Sequence, residues 1–349
     1  MSDLLVSRSR HVGSISLDRP KALNSLTLDM VRRFARALDQ FAADPAIAAV
    51  VVTGEGERGF CAGGDIRALY DMRHGDRAHY KTFWREEYEL NARIASFPKP
   101  YVVFMDGIVM GGGVGLSAHG DCRIVTERTR LAMPETGIGF IPDVGGTWLL
   151  TRNGGAGLYM ALSGEAVGAD DAIYVGLADV LVDSGSVPEL RRSLQDIESA
   201  DEVRPLLARF SKQTAAGPLQ RNETLLRGAM SKDRVEDIIA ALEADRSDFA
   251  RTAALTIAKR SPTNLKLTLR LLKRAATADR LETCLVDEYR AACNLLETHD
   301  LYEGIRAAVV DKDRDPRWAP ATLAAVEDET ISALLRGGGE PEPIFRAWT

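Results

Sequence analysis

Cysteine is scarce in this chain. Its four cysteines, Cys61, Cys122, Cys284 and Cys293, lie far apart without CxxC spacing, which argues against a disulfide framework or a zinc motif. Runs of about 18 apolar residues, the length a membrane span needs, are missing. The N-terminus MSDLLVSRSRHVGS has no apolar core of signal-peptide length. A reducing, cytoplasmic setting is therefore expected, with no membrane contact. No basic tail or arginine-rich run occurs, and a formal net charge of -6 disfavours nucleic acid as a partner. Two catalytic motifs are also lacking. No Gly-x-Ser-x-Gly elbow exposes a serine nucleophile, and Gly111-Gly112-Gly113 does not form the GxGxxG dinucleotide fingerprint. Of five histidines only His119 falls in a glycine-rich region, within an expected helix where a structural role outweighs catalysis.

Glycine is what the chain concentrates. Ten of the forty residues from Gly107 to Gly146 are glycine, against 30 in all 349, and glycine gathers where backbone turns sharply or approaches a ligand closely. The same stretch holds Glu135 and Asp143, with Thr136 the single polar residue between them. A carboxylate among apolar neighbours is either paired and structural or part of a site.

Periodicity supplies the frame. Leu4 to Ser7 and Val12 to Leu17 predict a hairpin, and Thr27 to Ala43 predicts an amphipathic helix with Thr27 or Ser25 as N-cap. Ile47 to Thr53 and KPYVVFM predict strands buried on both faces. Tyr80 to Phe97 predicts a helix. Each buried strand is followed by a glycine-rich loop, GEGERGFCAGGDI and then GIVMGGGVGLS. In the first, Asp65 suits either a helix cap or an anion-binding loop. A short helix is expected over Val114 to His119 and a strand over Arg123 to Thr126. Beyond Gly146, Trp148 to Leu162, Ala169 to Val175 and most of the chain from Val187 predict helices, with a short strand at Val180 to Val182. Ser261-Pro262 opens a basic amphipathic helix whose Lys266, Arg270, Lys273 and Arg274 suit phosphate groups or a solvated face. The DKDRDPRWAP segment is expected to close over the core through Trp318.

Free backbone N–H groups in two glycine loops, together with one or two carboxylates, define an oxyanion-stabilising enzyme; each such donor contributes about 3 kcal/mol. On these motifs the chain resembles the crotonase, or enoyl-CoA hydratase/isomerase, superfamily. FCAGGDI resembles that family's first oxyanion loop and GIVMGGGVGLS its second. The resemblance implies an α/β crotonase fold, repeated ββα units with buried sheets over residues 1–200, followed by a helical C-terminal region over 201–349. It also implies that the N–H groups of Gly64 and Gly112 hold a thioester oxygen. RPKALNSLT resembles the segment lining the coenzyme A site, making Lys21, Ala22 and Leu23 candidate contacts beside Ala62, Asp65 and Ile66. The family's hydratases carry one glutamate at the position that is Gly115 here and a second matching Glu135; Asp143 replaces a small residue.

That combination implies hydrolysis of a short β-hydroxyacyl-CoA thioester, with 3-hydroxyisobutyryl-CoA of valine breakdown as the expected substrate. Glu135 would be nucleophile or general base, Asp143 would orient the substrate hydroxyl or a water, and Glu87 would be a polar wall. No metal or redox cofactor is implied, since coenzyme A arrives as part of the substrate, and a homo-oligomer is compatible with the family. The competing readings are an enoyl-CoA hydratase or isomerase and a non-catalytic binding protein on the same fold.

Overall fold

A computed structural model describes residues 3–348 of the chain. The hairpin β1 (Leu4–Ser9) and β2 (Val12–Leu17) leads through a 3-10 turn, Pro20–Ala22, to helix α1 (Leu28–Ala43). The Met30 N–H donates to the Thr27 hydroxyl at 3.3 Å, so Thr27 is the N-cap, and Met30, Val31, Phe34, Leu38 and Phe41 form the buried stripe.

After α1 the chain repeats a unit of two strands and a turn or helix. Strand β3 (Ala49–Gly54) is followed by β4 (Gly59–Cys61) and α2 (Ile66–Asp71). Helix α3 (Ala78–Ala95) then leads to β5 (Tyr101–Met105), β6 (Ile108–Met110) and α4 (Gly112–Ser117). The third repeat is β7 (Cys122–Val125), β8 (Arg130–Ala132) and the 3-10 turn Glu135–Ile138. In each unit the first strand joins a six-stranded sheet, in the order β1-β2-β3-β5-β7-β9 with β9 at Val180–Leu181, and the second joins a three-stranded sheet, β4-β6-β8. Apart from the β1–β2 hairpin, every pairing is parallel. Strand β4 falls where the sequence predicted only loop; three residues are too few to show a period.

Both faces of the large sheet are buried, as the uninterrupted apolar runs required. Ile15, Val50, Val52 and Val103 face the main core. Val12, Val51, Val102 and Ile124 face a second core closed by α8 (Val187–Gln195) and α9 (Val203–Phe210). Before these come α5 (Gly146–Leu150), α6 (Gly154–Ser163) and α7 (Ala169–Tyr174). The single helix expected over Trp148 to Leu162 is thus two. The break at residues 151–153 precedes Gly154, whose φ of 50° leaves the helical region, and lets α6 fold back on α5 until a Cβ on Gly157 would lie 1.9 Å from the Leu150 carbonyl oxygen.

The remaining helices are α10 (Pro218–Arg221), α11 (Glu223–Met230), α12 (Val235–Ala244), α13 (Asp248–Ala258), α14 (Pro262–Ala276), α15 (Leu281–Leu295), α16 (His299–Ile305) and α17 (Asp328–Leu334). Their buried leucines, alanines and isoleucines continue the main core without a seam. Trp318 does not close over that core. It is half-buried outside that core, where its indole N–H donates to the Lys259 carbonyl, in a segment tied down by the ion pairs of Arg306 with Asp311 and Asp313 and by Glu303 on α16, which accepts from the Arg317 N–H.

Candidate active site

The three-stranded sheet gathers the site. Pairing β4 with β6 and β6 with β8 brings the segments that leave these strands side by side: Ala62 to Asp65, Gly111 to Gly112, and Pro134 to Glu135. With α2, α3 and residues 138–143 they enclose a cavity of about 200 Å³. Of the residues expected to form the site, Gly64, Gly112, Glu135, Asp143, Glu87, Ala62, Asp65 and Ile66 all line it. Its other walls are mainly apolar, among them Leu69, Tyr80, Phe83 and Leu301, with Trp84 and Phe140 stacked at 5.2 Å between ring centroids.

Lys21, Ala22 and Leu23 are not among the lining residues. They belong to the 3-10 turn and its left-handed exit, and the Leu23 carbonyl accepts from the Ala62 N–H at 3.0 Å. This turn therefore supports the lining residue Ala62 from behind. Asp65 takes its cap role: its carboxylate accepts from the Ala68 N–H at 3.2 Å and pairs with Arg19 at 3.1 Å.

The two glycine loops touch. A Cβ on Gly63 would lie 3.2 Å from Gly112 N. Among the described residues, neither the Gly64 N–H nor the Gly112 N–H is engaged in a hydrogen bond, and Gly112 opens α4, where no intrahelical acceptor exists. Carboxylates flank this backbone. A Cβ on Gly111 would lie 3.1 Å from Glu135 Oε1, and one on Gly112 only 2.5 Å from Glu87 Oε1, so a side chain at 112 would displace Glu87.

Burial governs the acids. Glu87, Glu135 and Asp143 are 2%, 5% and 5% exposed, and no lysine or arginine lines the cavity. Burial pushes Glu87 and Glu135 well above the usual carboxylate range, and the charge of Asp143 adds to both shifts. Asp143 is pushed up to about 7 by burial, against the pull of the Tyr88 hydroxyl, which donates to its Oδ2 at 2.7 Å. The Tyr88 hydroxyl thus favours the ionised form of Asp143, whereas Glu135 Oε2 has no such donor among the described residues. Glu87 Oε1, Glu135 Oε2 and both polar atoms of Asn91 have no hydrogen-bond partner among the described residues; the two glutamates line the cavity, where water or substrate meets them, whereas Asn91 is fully buried outside its lining.

Sequence reasoning missed Tyr88 and Asn91. Both lie on the buried stripe of α3 with Trp84, and a polar residue at a core position of an amphipathic helix was the available signal. His119 has the structural role expected of it: burial lowers it to about 4, and its Nε2–H donates to the Val144 carbonyl at 2.7 Å. Three of the four basic residues of α14 named above are engaged elsewhere, and Arg270 is exposed. Lys266 pairs with Glu236, Lys273 with Asp233 and Arg274 with Asp287.

Buried acids beside two unengaged glycine N–H groups, at the turns of a ββα repeat, are the arrangement of an enzyme of the crotonase fold. The chain belongs to the enoyl-CoA hydratase/isomerase family, whose model matches residues 12–335. It is 42% identical over 338 residues to the mitochondrial 3-hydroxyisobutyryl-CoA hydrolase of Danio rerio, covering 95% of this chain and 88% of that one. The human protein of the same name is 37% identical over 98% of this chain and 91% of its own. Among solved structures, a carnitinyl-CoA dehydratase from Mycobacterium thermoresistibile superposes with a TM-score of 0.94 at 46% identity, covering all of both chains. An enoyl-CoA hydratase from Rhodobacter sphaeroides gives 0.89 at 40%, over 97% of this chain and 98% of that one. The hydrolase relatives are named as mitochondrial proteins, which overturns the cytoplasmic expectation; a lack of disulfide spacing reports a reducing interior and cannot tell one such compartment from another.

Gly115 has no room for a side chain. A Cβ there would sit 2.7 Å from Val144 Cβ and 2.8 Å from Asn91 Nδ2, so the glutamate that a hydratase carries at this point is excluded sterically as well as by sequence. Gly115→Ala is expected to cost about 1–3 kcal/mol of stability through overpacking, measured by chemical denaturation; unchanged stability would show that Val144 and Asn91 yield freely.

Proposed function

We propose that this protein hydrolyses a short β-hydroxyacyl-CoA thioester, 3-hydroxyisobutyryl-CoA first among them, to the free acid and coenzyme A. The observation that carries this reading is the pair Glu135 and Asp143, buried without a cation in one cavity beneath two unengaged glycine N–H groups. The names of the curated relatives agree with it.

The thioester carbonyl oxygen lies against the N–H groups of Gly64 and Gly112, which stabilise the negative charge of the tetrahedral intermediate. Ala62, Asp65 and Ile66 meet the coenzyme A end of the substrate, with the turn of Lys21, Ala22 and Leu23 behind them. The acid pair works with one proton between its members, since like charges at close range in a dry site cannot both ionise. Asp143, whose charge the Tyr88 hydroxyl stabilises, accepts from the substrate's 3-hydroxyl or from the attacking water. Water's oxygen bonds to the carbonyl carbon, the carbon–sulfur bond breaks, the departing sulfur takes the proton held at Glu135, and a proton from water replaces it. In the route through an anhydride the proton sits on Asp143 instead: the Glu135 carboxylate bonds to the carbonyl carbon, the carbon–sulfur bond breaks, the sulfur takes the Asp143 proton, and water then cleaves the anhydride and returns a proton to the pair. Nothing in this balance calls for a metal or redox cofactor. Glu87 supplies the remaining polar wall.

A dehydratase or hydratase activity is the second reading, favoured by the names of the two similar solved structures. It lacks a second glutamate at position 115. The two readings separate in one assay. Free-thiol release from 3-hydroxyisobutyryl-CoA is expected, with hydration of a short enoyl-CoA at least about 100-fold slower; hydration without thiol release overturns the hydrolase reading. Glu135→Gln and Asp143→Asn are each expected to lower thiol release by about 100-fold or more in folded protein, the scale of a lost acid–base group.

The pH dependence has a fixed sign. Because one carboxylate of the pair must be ionised, kcat/KM is expected to fall as pH drops through about 7, the value for Asp143. The Tyr88 hydroxyl holds that value down, so Tyr88→Phe is expected to move the acid limb to higher pH. A shift in the other direction, or none, contradicts the assignment.

A further inference from the structure

One buried acid near the site takes no part in the reaction described above. Glu288, near the middle of α15, is fully buried yet does not line the cavity, and among the described residues it has no cationic partner. Its Oε2 accepts from the Gly145 N–H at 2.7 Å, and its Oε1 accepts from the Thr147 N–H at 2.9 Å and the Thr147 hydroxyl at 2.5 Å. All three donors belong to the turn by which the chain leaves Asp143.

That turn has an unfavourable backbone. Val144 has φ of 54° and Gly145 φ of 79°, and a left-handed conformation is a true outlier for a β-branched residue. Such conformations persist only where their surroundings over-determine them. Here the constraints come from three elements. His119, just beyond α4, fixes the Val144 carbonyl, Tyr88 on α3 fixes Asp143 itself, and Glu288 on α15 fixes Gly145 and Thr147. Space is closed as well: a Cβ on Gly145 would lie 2.7 Å from His119 Cε1 and 2.8 Å from Leu281 Cδ1. Removing Glu288 would strand three buried donors, and the turn can recover partners for them only by changing its path.

We propose that Glu288 is a positioning residue for hydrolysis: through Gly145 and Thr147 it holds the strained turn after Asp143 and so aims the Asp143 carboxylate into the cavity. This inference rests on Asp143 having the orienting role given to it above. It also gives the C-terminal helices a share in the chemistry, since Glu288 on α15 completes the geometry of Asp143 through a bond to Gly145 that spans 143 residues of the chain.

The test uses full-length Glu288→Ala, Glu288→Gln and Thr147→Val beside Asp143→Asn, each assayed for kcat and KM in thiol release from 3-hydroxyisobutyryl-CoA. Glu288→Ala is expected to lower kcat about 100-fold, the scale of a misplaced catalytic group, with KM within about threefold because the lining residues are unchanged. Glu288→Gln keeps an acceptor for Thr147 but turns an amide toward the Gly145 N–H, and is expected to lose about tenfold. Thr147→Val removes one donor, keeps both backbone bonds and is expected to lose about threefold in kcat at constant KM; it carries the test if Glu288→Ala does not fold. Wild-type kcat in Glu288→Ala, or in Thr147→Val where the alanine variant is unfolded, overturns the inference while Asp143→Asn remains inactive and the hydrolase reading stands. Absence of thiol release in the wild type overturns the hydrolase reading, and this inference with it.

Discussion

Three carboxylates share a cavity that no lysine or arginine lines, and the rest of the site follows from that constraint. Full ionisation of such a group is too costly in a water-poor pocket, so protons must be retained and shared. Tyr88 sets where the first charge settles by donating to Asp143 and to neither glutamate. A site poised in this way can accept a proton from water and deliver one to a leaving group without an external buffer, which is the requirement for thioester cleavage near neutral pH.

The fold makes this arrangement possible through a division of labour between its two sheets. The six-stranded sheet buries both faces and supplies rigidity. The three-stranded sheet is short, and its parallel register sets three successive turns side by side. Each turn contributes one kind of group: Gly64 and Gly112 their N–H groups, Glu135 its carboxylate. The fourth contributor, Asp143, stands on a strained turn whose geometry depends on α3, α4 and α15 together.

What the sequence disclosed divides along physical lines. Glycine clusters and a helical apolar stripe are local signals, so the repeated strand-then-glycine order, the cap of α1 and the two glycine loops were legible, and Glu135 and Asp143 stood out because an acid among apolar neighbours is rare. Contacts that join distant segments were not legible. Tyr88 meets Asp143 across 55 residues and Glu288 meets Gly145 across 143, and neither separation leaves a trace in spacing. Lys21, Ala22 and Leu23 entered through family resemblance alone, and the structure sets them behind the cavity wall. The helix break at residues 151–153 was hidden by apolar residues that continue the period on both sides. Trp318 misled because a large aromatic was taken as a core residue, whereas ion pairs of Arg306 with Asp311 and Asp313 anchor its segment outside the core.

The shared proton is the centre of this account, and it can be observed directly. Infrared difference spectra of the protein labelled at its aspartate carboxyls, recorded across pH, report the carboxylic acid band of Asp143. The account gives a band that persists above the ordinary carboxylate range, titrates near pH 7 and vanishes in Asp143→Asn. Complete ionisation of the aspartates by about pH 5, as solvated carboxylates show, would contradict it.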